Sequence, residues 1–321
     1  MWEAFLHSLN CVLILLLLAG AGYWTAHKGW YDAQSTALIA KLVTFMSLPA
    51  YLFSSVMEKL DHDELISLAG SMVIPFLTVW LCFFVSRIIV KVCKVEHVHA
   101  GTFSSAFTAT NNMFIGVPVS IALFGDEAIV PTLLYFFANT TFFWTMGNFL
   151  EAMDGIAAEK KAAPKVLSLA TVKRVFSPPL CGFLLAILLI LLDLRLPEAF
   201  MTAAKYMGGI TSPLALIFIG IMIYRIGVRN IRITKDLGLV LLGRFVICPT
   251  VCLIFTWLMP LPELFAKVYV IQAALPCITQ IAVLAKFHHA DVKFATTAVA
   301  STTLFSAATL PVWMMILTAI G

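Results

Sequence analysis

The sequence predicts an all-α polytopic membrane protein. Ten transmembrane helices are expected as two inverted five-helix repeats, with helices four and nine broken and crossed. Three observations predict this. Of 321 residues, 61% are hydrophobic and 12% charged, and the mean hydropathy is +0.97; a soluble domain carries roughly 25% charged residues. Apolar runs of about 20 residues, the length that crosses a bilayer, recur along the whole chain. The connections between them alternate between basic and acidic.

The predicted spans lie near 4–24, 35–57, 65–90, 101–124, 127–150, 176–193, 198–223, 235–258, 263–287 and 292–319. The first opens on Met1-Trp2-Glu3, without the basic leader of a signal peptide, and reads as permanent helix. Basic residues gather after odd-numbered spans: Lys28; Arg87, Lys91 and Lys94; Lys160, Lys161, Lys165, Lys173 and Arg174; Arg225, Arg229, Arg232 and Lys235; Lys286 and Lys293. The remaining connections are acidic or nearly bare. Basic loops face the cytoplasm, so both termini are expected outside, with the chain multi-pass in the plasma membrane. A count of nine or eleven spans would break the alternation. Residues 1–150 form the expected first repeat, 151–175 a cytoplasmic linker and 176–321 the second repeat.

An odd number of spans per half gives the halves opposite orientations, as an inverted repeat requires. Prolines fall at corresponding places. Pro49 in the second span matches Pro213 in the seventh, and Pro75 in the third matches Pro249 in the eighth. Pro118 in the fourth matches Pro276 in the ninth.

The fourth span carries Asn111-Asn112-Met113-Phe114-Ile115-Gly116-Val117-Pro118, and the ninth carries Leu275-Pro276-Cys277-Ile278-Thr279-Gln280. Broken, polar backbone at membrane depth survives only where protein or a water-filled cavity covers it. Each break creates a new half-helix N-terminus with bare N–H groups and partial positive charge, which attracts anions. The second half-helices are expected to begin near Val117 to Val119 and near Cys277 to Thr279. If the spans cross there, Asn111, Asn112, Thr279 and Gln280 supply neutral donors and acceptors, and Gly116 allows close approach. Asn139, Thr140, Thr141 and Asn148 of the fifth span and Gln272 of the ninth either line this cavity or bond helix to helix. Arg244 is the deepest cation, read as either a snorkelling stem or a counter-charge for an anionic solute. Lys41, Lys205 and Lys267 lie nearer span ends. The candidate substrate-binding set is therefore Asn111, Asn112, Gly116, Pro118, Pro276, Thr279, Gln280, Asn139 and Arg244.

All seventeen acids are read at loops or span ends. Intramembrane carboxylates are the usual proton and sodium carriers, so their absence argues against an aspartate-pair antiporter and weakens obligatory proton coupling. The seven cysteines lie mostly inside spans without metal spacing and read as packing residues. His97, His99, His288 and His289 fall on two equivalent loops and read as water-facing, so no metal and no cofactor is expected. No HExxH, GxSxG or intramembrane Asp pair is present, which argues against an enzyme, and nothing points to nucleic acid.

At these motifs the chain resembles the auxin efflux carrier family, which includes plant auxin exporters and bacterial carriers of malate and malonate. The likeness rests on Asn111-Asn112 to Gly116-Val117-Pro118, on Ser212-Pro213-Leu214-Ala215-Leu216 with Gly220, and on Leu275 to Thr279 leading to Ala285-Lys286. The segment Ser301 to Pro311 also looks like the family's C-terminal end. The resemblance implies a scaffold of spans one, two, six and seven and a transport domain of spans three to five and eight to ten. Elevator-type alternating access and a homodimer come with it. The short central loop resembles bacterial members. The expected function is secondary transport of a small organic anion, a carboxylate by preference. A sodium-coupled symporter like the bile acid carriers and a non-transporting membrane sensor stay open as alternatives.

Overall fold

The computed structural model describes residues 2–59, 69–159, 178–227 and 233–320. Every predicted span holds helix in its described part, and the fourth and ninth are interrupted at 109–111 and 274–279. We number the helices α1 (Trp2–His27), α2 (33–59), α3 (69–92), α4a (Ala100–Thr108), α4b (112–124), α5 (126–159), α6 (Pro178–Leu191), α7 (198–226), α8 (235–258), α9a (Glu263–Ala273), α9b (Gln280–Phe287) and α10 (Val292–Ile320). Among the described residues, five helices are long and apolar enough to cross a membrane: Ala33–Glu58, Gly70–Val92, Glu198–Arg225, Lys235–Leu258 and Val292–Ile320. Asn112–Phe124 and Pro178–Leu191 are shorter and apolar. α5 runs to Glu159, into the stretch read as linker; 160–175 lies outside the described residues.

Local chemistry sets the helix ends. Asp32 caps α2 by accepting from Ser35 N at 2.7 Å, while Ser35 Oγ accepts from Asp32 N at 2.9 Å. Thr234 Oγ1 caps α8 by accepting from Leu237 N at 3.3 Å. Such reciprocal or single caps satisfy donors that the first turn leaves bare.

Prolines widen helices at a fixed offset. The π-helical turns Val43–Ser47, Asn112–Gly116 and Gly243–Ile247 each end two residues before a proline, namely Pro49, Pro118 and Pro249. A proline ring clashes with the carbonyl one turn earlier and removes a donor, and a π-turn is one way to absorb both. Pro75 and Pro213 sit instead in the first turn of Val73–Val92 and Thr211–Ile226, where the missing N–H is harmless. Within the pairs Pro49–Pro213 and Pro75–Pro249 the local distortion therefore differs.

The helices pack in two groups. α1 lies along the second half of α7, and α2 packs on α6 and the first half of α7. The first contact is close enough to require glycine: a Cβ on Gly220 would stand 1.8 Å from Ala19 O. The other group, α3 to α5 with α8 to α10, shares one apolar core built around Phe103, Phe107, Phe142, Tyr269 and Ile271. Leu52, Leu133 and Phe183 belong to a second core, where α2 and α6 meet α5.

Candidate functional site at the paired helix breaks

α4a stops at Thr108 because Ala109 turns extended, with φ −81° and ψ 131°. Residues 109–111 then run antiparallel to residues 276–278. Asn111 N donates to Pro276 O at 2.9 Å, and Ile278 N donates to Ala109 O at 3.1 Å. Thr110 and Cys277 face each other at the centre of this pair. The central residues of such a pair turn their own N–H and C=O groups outward, so other elements must satisfy them. Asn139 of α5 does so for Thr110: its Oδ1 accepts from Thr110 N at 2.8 Å, and its Nδ2 donates to Thr110 O at 2.9 Å. Thr302 of α10 accepts from Cys277 N at 3.2 Å. Each break is held by the helix that follows it in the chain.

Arg244 is fully buried. Its Nε donates to Leu275 O at 3.1 Å, Nη1 to Phe107 O and Thr108 O at 2.9 and 2.7 Å, and Nη2 to Ala273 O at 2.6 Å. These carbonyls end α4a and α9a, where the last turn leaves acceptors unpaired and the helix dipole is negative. Arg244 thus ties both first half-helices together through backbone alone. The other cations lie farther out: Lys205 Nζ pairs with Glu58 Oε1 at 2.5 Å, and Lys267 pairs with Glu263.

The two adjacent asparagines do different work. Asn112 Nδ2 donates to Gln272 Oε1 at 2.5 Å, and its Oδ1 accepts from Thr110 Oγ1 at 2.7 Å. Gln272 Nε2 reaches Ser120 Oγ at 2.7 Å and Gly116 O at 3.1 Å. Both polar atoms of the Asn112 amide are therefore engaged in a buried network that joins α4b to α9a. Gly116 makes room for it, since a Cβ there would meet Gln272 Oε1 at 2.5 Å and Leu275 Cδ1 at 2.7 Å. Asn111 Oδ1 accepts from Phe114 N at 3.4 Å. Asn111 Nδ2 is buried and has no partner among the described residues.

Asn111 lines a narrow cleft with about 10 Å³ of water-accessible space, bounded among others by Asn111, Thr279 and Thr303 on one side and by Phe218, Ile219 and Met222 of α7 on the other. The cleft therefore lies between the two helix groups. Thr279 is half-buried and donates to Gln280 Oε1 at 3.4 Å. Pro276 and Pro118 are buried at and just beyond the breaks. The expected start of the second half at Val117 to Val119 needs correction: α4b resumes at Asn112, because Asn111 caps it and Pro118 only widens the turn ahead. α9b begins at Gln280, next to the expected position.

Two further expectations change. His99 is buried, not water-facing: its Nε2 meets Asp236 Oδ2 at 3.0 Å, its Nδ1 meets Asp291 Oδ2 at 3.2 Å, and its ring stacks on Phe294 with centroids 4.0 Å apart. Among the described residues no group of three or more His, Cys, Asp or Glu side chains is disposed to hold a metal ion. Glu151, read as the start of a linker, is 0% exposed. Thr110 and Thr302 carried no motif; only a position on the helix after the break, shared with Asn139, could have marked Thr302. Cys82, Cys248, Cys252 and Cys277 are buried packing residues, as their place in the spans suggested.

Apolar helices with a paired break at their centre belong to the class of membrane transporters. The family model described as "Membrane transport protein" matches residues 7–314. The chain belongs to that family, the auxin efflux carriers whose motifs it shares. It is similar to an uncharacterized transporter of Methanothermobacter thermautotrophicus, 25% identical over 317 residues, 98% of this chain and 99% of that protein. An uncharacterized transporter of Methanocaldococcus jannaschii is 19% identical over 314 residues, 96% of this chain and 98% of that protein.

Proposed function

We propose that this transporter moves small organic anions, carboxylates first among them, across the plasma membrane by alternating access. The observation that carries the reading is the unpartnered Asn111 Nδ2 at a cleft between two helix groups. A buried donor without an acceptor is costly, and a carboxylate oxygen would satisfy it. The electrostatics agree. Arg244 neutralises the negative ends of α4a and α9a, while the positive N-terminal ends of α4b and α9b are left to attract an anion. On this reading Thr279 and Gln280 complete the site, and Arg244, Asn112, Asn139, Gly116, Pro118 and Pro276 shape it from behind.

The grouping of helices supports a scaffold of α1, α2, α6 and α7 against which α3–α5 and α8–α10 move. The matching grips of Asn139 on Thr110 and Thr302 on Cys277 support an inverted repeat of five spans, ten in all. Charge alternation supports both termini outside. The test is counterflow in proteoliposomes with a panel of mono- and dicarboxylates, with and without a sodium gradient. Exchange of at least one carboxylate, with affinity weakened about tenfold by Asn111→Ala while folding stays intact, is the expected result. Exchange indifferent to Asn111→Ala would count against the site, and uptake driven by sodium would favour a symporter.

A further inference from the structure

Among the described residues, Glu151 is the buried carboxylate whose oxygens are left without a hydrogen-bond partner. It lies on α5, 0% exposed, and neither Oε1 nor Oε2 has a hydrogen-bond partner among the described residues. Ser105 Oγ of α4a lies beside the carboxyl but donates to Gly147 O at 3.3 Å. Asp154, one turn further along α5, is different. Its oxygens accept from Gly101 N at 2.8 Å, Thr102 N at 2.6 Å and Thr102 Oγ1 at 2.8 Å, so it caps α4a and has little capacity left. An ionised carboxylate without a cation or donors cannot be held in such a place, whereas its protonated form can.

We propose that Glu151 is a proton-binding site of this transporter, loaded on one side of the membrane and emptied on the other, so that anion and proton travel together. This rests on the anion reading above. Loading forms an O–H bond between a proton from water and a Glu151 oxygen, and release returns that proton to water. One monoanion and one proton then cross without net charge.

Position supplies the coupling. Glu151 lies on α5 between Gly147, which accepts from Ser105 Oγ, and Asp154, which accepts from Gly101 N, so it packs along α4a, the half-helix that runs directly into the crossing residue Thr110. A carboxylate there and a substrate anion at the crossing repel each other. A like charge this near in a buried site lowers anion affinity on the order of tenfold, and linkage makes the effect reciprocal. The other titratable groups on or beside the elements packed against this part of α5 are Asp154, Glu96, His97, His99, Lys286, His288 and His289. None bonds Glu151. A divalent cation fits less well than a proton: calcium and magnesium take six or more oxygen ligands, and among the described residues the two Glu151 oxygens are free while the neighbouring Ser105 hydroxyl is already bonded to Gly147 O.

The experiment compares wild type with Glu151→Gln in proteoliposomes. Gln keeps the size and removes the titration. Carboxylate counterflow should persist in both, which tests the anion reading and reports correct folding. Accumulation driven by a pH gradient should appear in wild type and fall about tenfold or more in Glu151→Gln. Substrate affinity should rise as pH falls in wild type and lose that dependence in the variant. The proposal is overturned if Glu151→Gln still accumulates substrate on a pH gradient, or if wild type ignores the gradient. It is also overturned if a sodium gradient drives a wild-type uptake that the variant loses. Should no carboxylate exchange at all, the anion reading falls and the proton site is still decided by infrared difference spectra of wild type minus Glu151→Gln. A protonated-carboxyl band that titrates in the physiological range upholds it, and a band absent or constant with pH refutes it.

Discussion

At the residue scale, neighbouring polar side chains separate into those that build the crossing and one that faces its cavity. Asn111→Ala removes a donor that bonds nothing and a long 3.4 Å cap on Phe114 N, so the unfolding midpoint in detergent should fall by no more than the worth of one weak cap, about 0.5–1 kcal/mol, while anion affinity falls about tenfold, the worth of one hydrogen bond to a charged group. Asn139→Ala should do the reverse. It strands both Thr110 N and Thr110 O, at a cost of about 2–4 kcal/mol, read as a lowered unfolding midpoint. Arg244→Gln would leave several carbonyls of two helix ends unanswered, costing about 3–5 kcal/mol. Arg244→Lys should recover only part of this, because an ammonium lacks the planar fork that reaches four carbonyls at once. The sequence marked Arg244 as deep but could not show its partners, since backbone carbonyls at a helix end have no residue code. It marked Asn111 and Asn112 as a pair for the same reason that it could not divide them: their partners, Gln272 and a cavity, come from other helices.

At the scale of the helix, the breaks were readable because amides, glycine and proline stood inside apolar runs. Their boundaries were not, because proline ordinarily marks the first turn of a new helix. Here it widens a turn that Asn111 has already begun: Asn111 O accepts from both Ile115 N and Gly116 N at 3.2 and 3.0 Å. Pro118→Ala should let that turn tighten towards a regular helix, displacing Gly116 from Gln272, and should cut counterflow while the protein still folds. Hydropathy also ends the fifth span at 150, just before Glu151. α5 continues, and Asp154 uses that continuation to cap α4a. Asp154→Ala should therefore destabilise the α4a end by about 2 kcal/mol, visible as faster amide exchange over residues 100–104.

At the scale of the molecule, composition alone carried the all-helical membrane class, and the order of the packing groups could not be read from it. The cavity wall facing Asn111 is α7, through Phe218 and Met222. If the two groups slide past each other during transport, joining them must arrest it. A disulfide between Met222→Cys and Thr303→Cys, in a background without the native cysteines, should stop counterflow on oxidation and release it on reduction. Flux unchanged by a verified cross-link would mean that this wall stays still during the cycle.

The grips that hold the two breaks have an evolutionary consequence. Asn139, Thr302 and the guanidinium of Arg244 all take main-chain atoms of the crossing segments, and those segments bind each other through main chain as well. The joint is thus indifferent to most side chains it contains. Relatives can exchange the residues that point into the cavity, and so change their solute, without having to rebuild the frame that presents it.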